Sequence, residues 1–191
     1  MKNNVNRLVK LSVLSALGLL LMLLVRFPII PTAPFLEYEP GDIPILIGTF
    51  LFGPKSGLII TAIVSLVQGF TVSAGSGWIG ALMHLIATGS MVIVAGTIYK
   101  KMHTLKGAII ALVCGSLTMT LVMIPLNLVF TTMFLGVPLA AVKSMIVPAI
   151  IPFNLIKTSI NSIVTGLVYK SVGKVLKVDI KPTLKETQKA S

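Results

Sequence analysis

Four apolar stretches, at residues 8–25, 77–99, 106–133 and 147–169, constrain this chain more than anything else in it. Each is long enough to cross a hydrocarbon core of roughly 30 Å as a helix. Of 191 residues, 55% are hydrophobic and 11% charged, whereas soluble domains run at about 25% charged. Such a chain belongs in a bilayer. A backbone immersed in lipid must satisfy its own hydrogen bonds, so the expected fold class is an all-α membrane protein.

The net charge of +11 would suit nucleic acid only if the bases formed a face on a soluble fold. They lie instead in the short polar gaps and in the tail, where the positive-inside rule puts cytoplasmic residues. The lipid bilayer is therefore the expected partner, and nucleic acid is not. The single cysteine, Cys114, sits inside an apolar run and reads as a small buried hydrophobe, with no disulfide framework or metal cluster around it. The opening MKNNVNRLVK leads into LSVLSALGLLLMLLV with no small-x-small cleavage site after it, so it reads as an uncleaved first span.

The stretch 43–70 is harder to place, because Gly-Pro-Lys-Ser-Gly interrupts it at 53–57. Charge decides between one kinked span and two short ones. With six spans (8–25, 43–52, 56–70, 77–99, 106–133, 147–169) and both termini cytoplasmic, only Arg26 and Lys143 lie outside and Lys157 within the membrane. The other thirteen of the sixteen bases fall inside. A five-span topology strands Lys55 in mid-bilayer, so six spans are preferred. Residues 1–177 then form one membrane domain of the cell membrane, and 178–191 a polar cytoplasmic tail. Short helices at membrane depth are tolerated where they line a cavity, which points to a binding cavity on the external side. No internal repeat supports an inverted-repeat transporter plan.

Two nucleotide-like motifs mislead. GSGWIG at 75–80 matches G-x-G-x-x-G, but no strand precedes it; it reads as an external turn opening the fourth helix. GTFLFGPKS at 48–56 resembles a Walker A loop, but its proline removes an N–H donor and its flanks are apolar. Without an ATP site, any active transport draws on a partner or an ion gradient. No catalytic triad, carboxylate pair or His/Cys cluster supports an enzyme, and the lone His84 reads as a satisfied core histidine. The first helix carries Ser12-x-x-x-Ala16, a spacing that lets another helix approach closely, in this chain or in a partner.

The most informative stretch is PFNLIKTSINSIVTGLVY, 152–169. A lysine here costs several kcal/mol by order of magnitude unless something receives it. Asn154, Lys157, Thr158 and Asn161 fall at i, i+3, i+4 and i+7 and share one helical face. Asn127 follows Pro125 in the fifth helix. One reading is structural: the amides satisfy helix breaks and the lysine snorkels. The other is a pocket of amides and one ammonium, with no carboxylate on the same faces. Such a pocket would suit a neutral or weakly anionic ligand rich in carbonyls and ring nitrogens, its flat ring covered by Trp78, Phe153, Phe35 or Tyr38.

LEYEPGDIPILIGTFLFGPKSG, GSGWIGALMHLIATGS and PFNLIK, in this order, resemble the riboflavin-specific S components of energy-coupling factor (ECF) vitamin transporters over roughly residues 8–175. The resemblance implies a six-helix, non-enzymatic membrane protein without a cofactor, which captures riboflavin outside and delivers it after docking to a membrane scaffold subunit carrying two ABC-type ATPases. It implies ligand contacts at Asn154 and Lys157, at Asn127 in the fifth helix, and by neighbourhood at Glu39 and Gly75; Asn161 joins them through the shared face. Ser12 and Ala16 fit the small-xxx-small surface the family offers to its scaffold. Two alternatives stay open: an S component for another vitamin, such as thiamin or pantothenate, or a self-sufficient secondary transporter using Lys157.

Overall fold

The structure, a computed structural model, describes residues 2–71 and 75–178; the expected tail lies, but for Val178, outside the described residues. Helices dominate. In order they are α1 (Lys2–Leu24), α2 (Asp42–Phe52), α3 (Pro54–Phe70), α4 (Gly77–Lys101), α5 (Leu105–Leu126), α6 (Thr132–Leu135), α7 (Leu139–Met145) and α8 (Ile151–Val175). A π-helical turn, Asn127–Thr131, joins α5 to α6, and another, Ile146–Ile150, joins α7 to α8. Four helical stretches are long and apolar enough to cross a membrane: Val5–Leu24, Gly77–Lys101, Leu105–Leu135 and Leu139–Val175. The helices α2 and α3 are apolar but shorter.

The break between α2 and α3 falls at Gly53, whose φ of 87° favours a residue without a side chain. Pro54 then opens α3, where its missing N–H costs no helical bond. Every residue of α2 from Asp42 to Phe50 is buried, as expected of a helix that is hydrophobic all round. Neighbouring helices come close because small residues face them. A side chain at Gly57 would collide with Thr49 and Val92, and one at Gly96 with Thr49 and Pro54. At the start of α5 the Thr104 hydroxyl accepts from the Gly107 N–H, an N-cap.

The two ends of the bundle differ. At one end Arg7 of α1 donates to Ser56 Oγ and to the Phe52 carbonyl, beside the Gly53 turn. Phe50 there stacks on Tyr99 and meets Tyr169 edge-on. The other end is covered by the segment between α1 and α2, which forms a two-stranded antiparallel ribbon, β1 (Phe27–Pro28) and β2 (Glu37–Tyr38). Ala33 and Leu36 of this segment pack with Val142, Ala149, Ile150 and Phe153 into a small second core.

Most residues between the fifth and sixth expected spans are helical, with a break at residues 136–138. After Gly136, in the left-handed region at φ 65°, α7 begins at Leu139 and runs through the second π turn into α8. Prolines explain the two π turns. Pro125 and Pro148 cannot donate to the helix ladder, and a locally widened turn absorbs the defect.

Candidate binding site

The defects just described position the site. Asn127 is the first residue of one π turn, and Asn154 lies one helical turn beyond the other. Asn127 Nδ2 donates to the Met123 carbonyl at 2.7 Å, and Asn154 Nδ2 to the Ile150 carbonyl at 2.8 Å. Both amides therefore satisfy backbone at a helix break, as the structural reading of these residues expects. The Asn127 carbonyl oxygen also accepts from Thr131 Oγ1. Asn154 Oδ1 has no partner although it is fully buried, a state that costs about 1–3 kcal/mol unless something else supplies a donor.

Both asparagines line one cavity, together with Lys157, Glu39, Phe35, Phe153, His84 and Gln68. Its wall comes from α3, α4, α5 and α8, and its roof from the segment between α1 and α2. Gln68 Oε1 is a second buried oxygen without a partner. Arg26, on the rim, pairs with Glu37.

Lys157 is not alone. Its Nζ lies 3.3 Å from Glu39 Oε1 and 4.0 Å from Asp42 Oδ2, all three side chains being nearly buried. The helical faces of Asn154 and Lys157 carry no carboxylate of their own; the covering segment and α2 bring two to the lysine from elsewhere in the chain. The lysine does not snorkel. Its charge is received in place, which is how a buried ammonium becomes tolerable.

Asp42 is the hub behind the cavity. Its Oδ1 accepts from Thr88 Oγ1 at 2.9 Å and lies 3.1 Å from His84 Nε2. A proton on Nε2 faces the carboxylate and leaves Nδ1 to accept from Ser65 Oγ at 2.7 Å. His84 is thus a satisfied histidine, and it also lines the cavity. Asp42 Oδ2 accepts from Asn161 Nδ2 at 3.3 Å, and Asn161 Oδ1 accepts from the Tyr38 hydroxyl at 3.0 Å. Burial pushes the Tyr38 hydroxyl above its ordinary value, so it acts as a neutral donor.

The structure therefore brings Asn127, Asn154, Lys157 and Glu39 to one cavity. Asn161 sits behind it, both ends of its amide engaged within the protein. Gly75 is exposed and does not line it. Trp78, expected as a ring cover, is 61% exposed and packs edge-on against Phe130 instead. Sequence reasoning missed Asp42 and Gln68. A signal existed for Asp42, the one acid opening an otherwise apolar helix, DIPILIG. Ser12 and Ala16 lie on the exposed face of α1, whereas Ser15 and Gly18 face inward; packing within the chain does not account for the Ser12–Ala16 pair.

Known proteins place these features in context. The model of the family described as ECF transporter, substrate-specific component, matches residues 6–169. The riboflavin transporter RibU of Staphylococcus aureus (strain TCH60) is 34% identical, the match covering 90% of this chain and 92% of that protein. The riboflavin transporter FmnP of Bacillus subtilis (strain 168) is 29% identical, with 97% of each chain covered. Among solved structures, the S component of a bacterial ECF transporter superposes with a TM-score of 0.76 at 34% identity, over 93% of this chain and 99% of that one. The S component for biotin from an ECF-type ABC transporter shares the fold, with a TM-score of 0.59 at 19% identity, over 88% of this chain and 93% of that one.

Proposed function

The chain belongs to the family of ECF transporter substrate-specific components, and we propose that it is the member that captures riboflavin at the cell membrane. It binds and delivers; it catalyses nothing. One observation carries this reading: Asn127, Asn154 and Lys157, from two helices broken by proline, converge on a single cavity roofed by the segment that carries Glu39. The polar edge of the flavin ring alternates carbonyl acceptors with an imide N–H. The unpartnered Asn154 oxygen accepts that N–H, and the Lys157 ammonium donates to an adjoining carbonyl. Phe35 and Phe153 line the same cavity and pack on the ring, as apolar walls do in small-molecule sites.

Six passes with both termini cytoplasmic follow. The Arg7 contacts put the start of α1 beside the α2–α3 turn, and the exposed Lys55 lies at that turn; the positive-inside rule makes this end cytoplasmic. The cavity then opens outside. The energising partner is a scaffold subunit with two ABC-type ATPases, which docks against the exposed Ser12 and Ala16 of α1.

Riboflavin uptake by cells making the chain with and without the energising module tests the reading. Uptake should require the module, and Ser12→Leu with Ala16→Leu should abolish uptake while leaving riboflavin binding intact. Gradient-driven uptake by the chain alone would identify a self-sufficient transporter instead. Purified protein that takes up thiamin or pantothenate but no yellow flavin would move the assignment to another vitamin.

A further inference from the structure

A second hollow, of about 470 Å³, lies on the outer face of the bundle between α5 and α8. We propose that it is a binding site for an anionic phospholipid, one acyl chain lying in the groove and the headgroup on Lys106, Lys170 and Lys174.

The two helices run antiparallel here. Ser116 Oγ and Ser162 Oγ hydrogen-bond across the interface at 3.0 Å, and the Cβ position of Gly166 lies 3.6 Å from Leu112 Cδ1. On α5 the lining runs from Leu105 to Leu117, and on α8 from Leu155 to Leu167. At the rise of an α-helix each stretch is about 18 Å long, enough for an acyl chain of one leaflet, roughly 15 Å deep. The walls are mostly aliphatic; of their three serines, Ser116 and Ser162 hydrogen-bond to each other and Ser159 is exposed.

Charge identifies the headgroup. Lys170 follows Gly166 by four residues and Leu167 by three, and Lys174 follows Lys170 by four; both continue the groove's face of α8 beyond its end. Lys106 precedes Ile109 by three on the facing helix, at the same end of the bundle. All three lysines are exposed. Every described carboxylate is engaged at the opposite end: Glu37 with Arg26, Glu39 with Lys157, and Asp42 with His84 and Lys157. Among the described residues, then, nothing anionic neutralises the lysine cluster at the mouth of an acyl-sized groove. The positive-inside rule accounts for lysines at this end. It does not account for their alignment with the groove.

Native mass spectrometry of the full chain, taken from nanodiscs of equal phosphatidylglycerol and phosphatidylcholine, tests the proposal. The parent should retain phosphatidylglycerol in preference to phosphatidylcholine. Lys106→Gln, Lys170→Gln and Lys174→Gln should each reduce that preference on the order of fivefold. Gly166→Leu, which fills the floor of the groove, should expel both lipids. Riboflavin titration of each variant checks that it is folded, since none of these positions lines the ligand cavity. Equal retention of the two lipids by the parent overturns the proposal, as does undiminished retention in Gly166→Leu. A photo-crosslinker at Ile163 that captures a polypeptide rather than lipid overturns it too, and makes the groove a protein-docking face.

Discussion

The helices α2, α4 and α8 each contribute to two very different regions. At one end they supply Asp42, His84 with Thr88, and Lys157 with Asn161, a buried polar network. At the other they supply Phe50, Tyr99 and Tyr169, three rings in mutual contact. About 12 Å along α2 separates Asp42 from Phe50. The three rings are held by packing, and the hydrogen bond between the Tyr99 and Tyr169 hydroxyls is long at 3.5 Å. In the polar network each group has partners that would be left charged or unpaired without it. Packing losses stay local. Losses in the network are shared, and they fall beside the cavity proposed to take the ligand.

The largest effect should come from Asp42→Ala. It leaves His84, Thr88 and Asn161 without their acceptor and Lys157 with one carboxylate, and breaking a buried charged network of this kind typically costs about 3–5 kcal/mol. Thermal unfolding in detergent should show that loss, together with loss of riboflavin binding. A stable Asp42→Ala protein would mean that the network is not cooperative.

Lys157→Met should follow, weakening riboflavin by about ten- to a hundred-fold, as removal of one donor to a buried acceptor does. It should also destabilise the protein by leaving Glu39 without its ion-pair partner and Asp42 without the nearby ammonium. Adding Glu39→Gln should restore part of the stability but none of the affinity. A double variant that regained affinity would show that Lys157 serves Glu39 and not the ligand.

Tyr169→Phe should have the smallest effect. It removes one long hydrogen bond, so the loss should be no more than about 1 kcal/mol, and riboflavin affinity should match the parent. A clear drop in affinity would break the separation between the two ends.

Periodicity reports which residues of one helix share a face, and so Asn154 and Lys157 were legible from PFNLIK alone. It cannot report what stands opposite. Glu39 lies 118 residues from Lys157 in the chain, and Asp42 lies 119 from Asn161; only the folded chain brings them together. The Gly53 break was legible because glycine followed by proline has few other uses in an apolar run. The breaks near Pro125 and Pro148 were less legible, because both prolines lie within or beside long apolar runs that read as unbroken spans, and π turns absorb them. Trp78 misled because residue type alone says nothing of which side of α4 the ring occupies.

The expected affinity changes all rest on riboflavin binding between Asn154 and Lys157, as proposed. Titration of the purified protein with riboflavin, followed by flavin fluorescence, tests it most directly when the parent is run beside Asn154→Leu. The parent should saturate at one flavin per chain. Asn154→Leu, with its helicity confirmed by circular dichroism, should bind about ten- to a hundred-fold more weakly, because the imide N–H loses its acceptor. A parent that shows no saturable change, or a folded Asn154→Leu whose curve overlays the parent's, would contradict the claim.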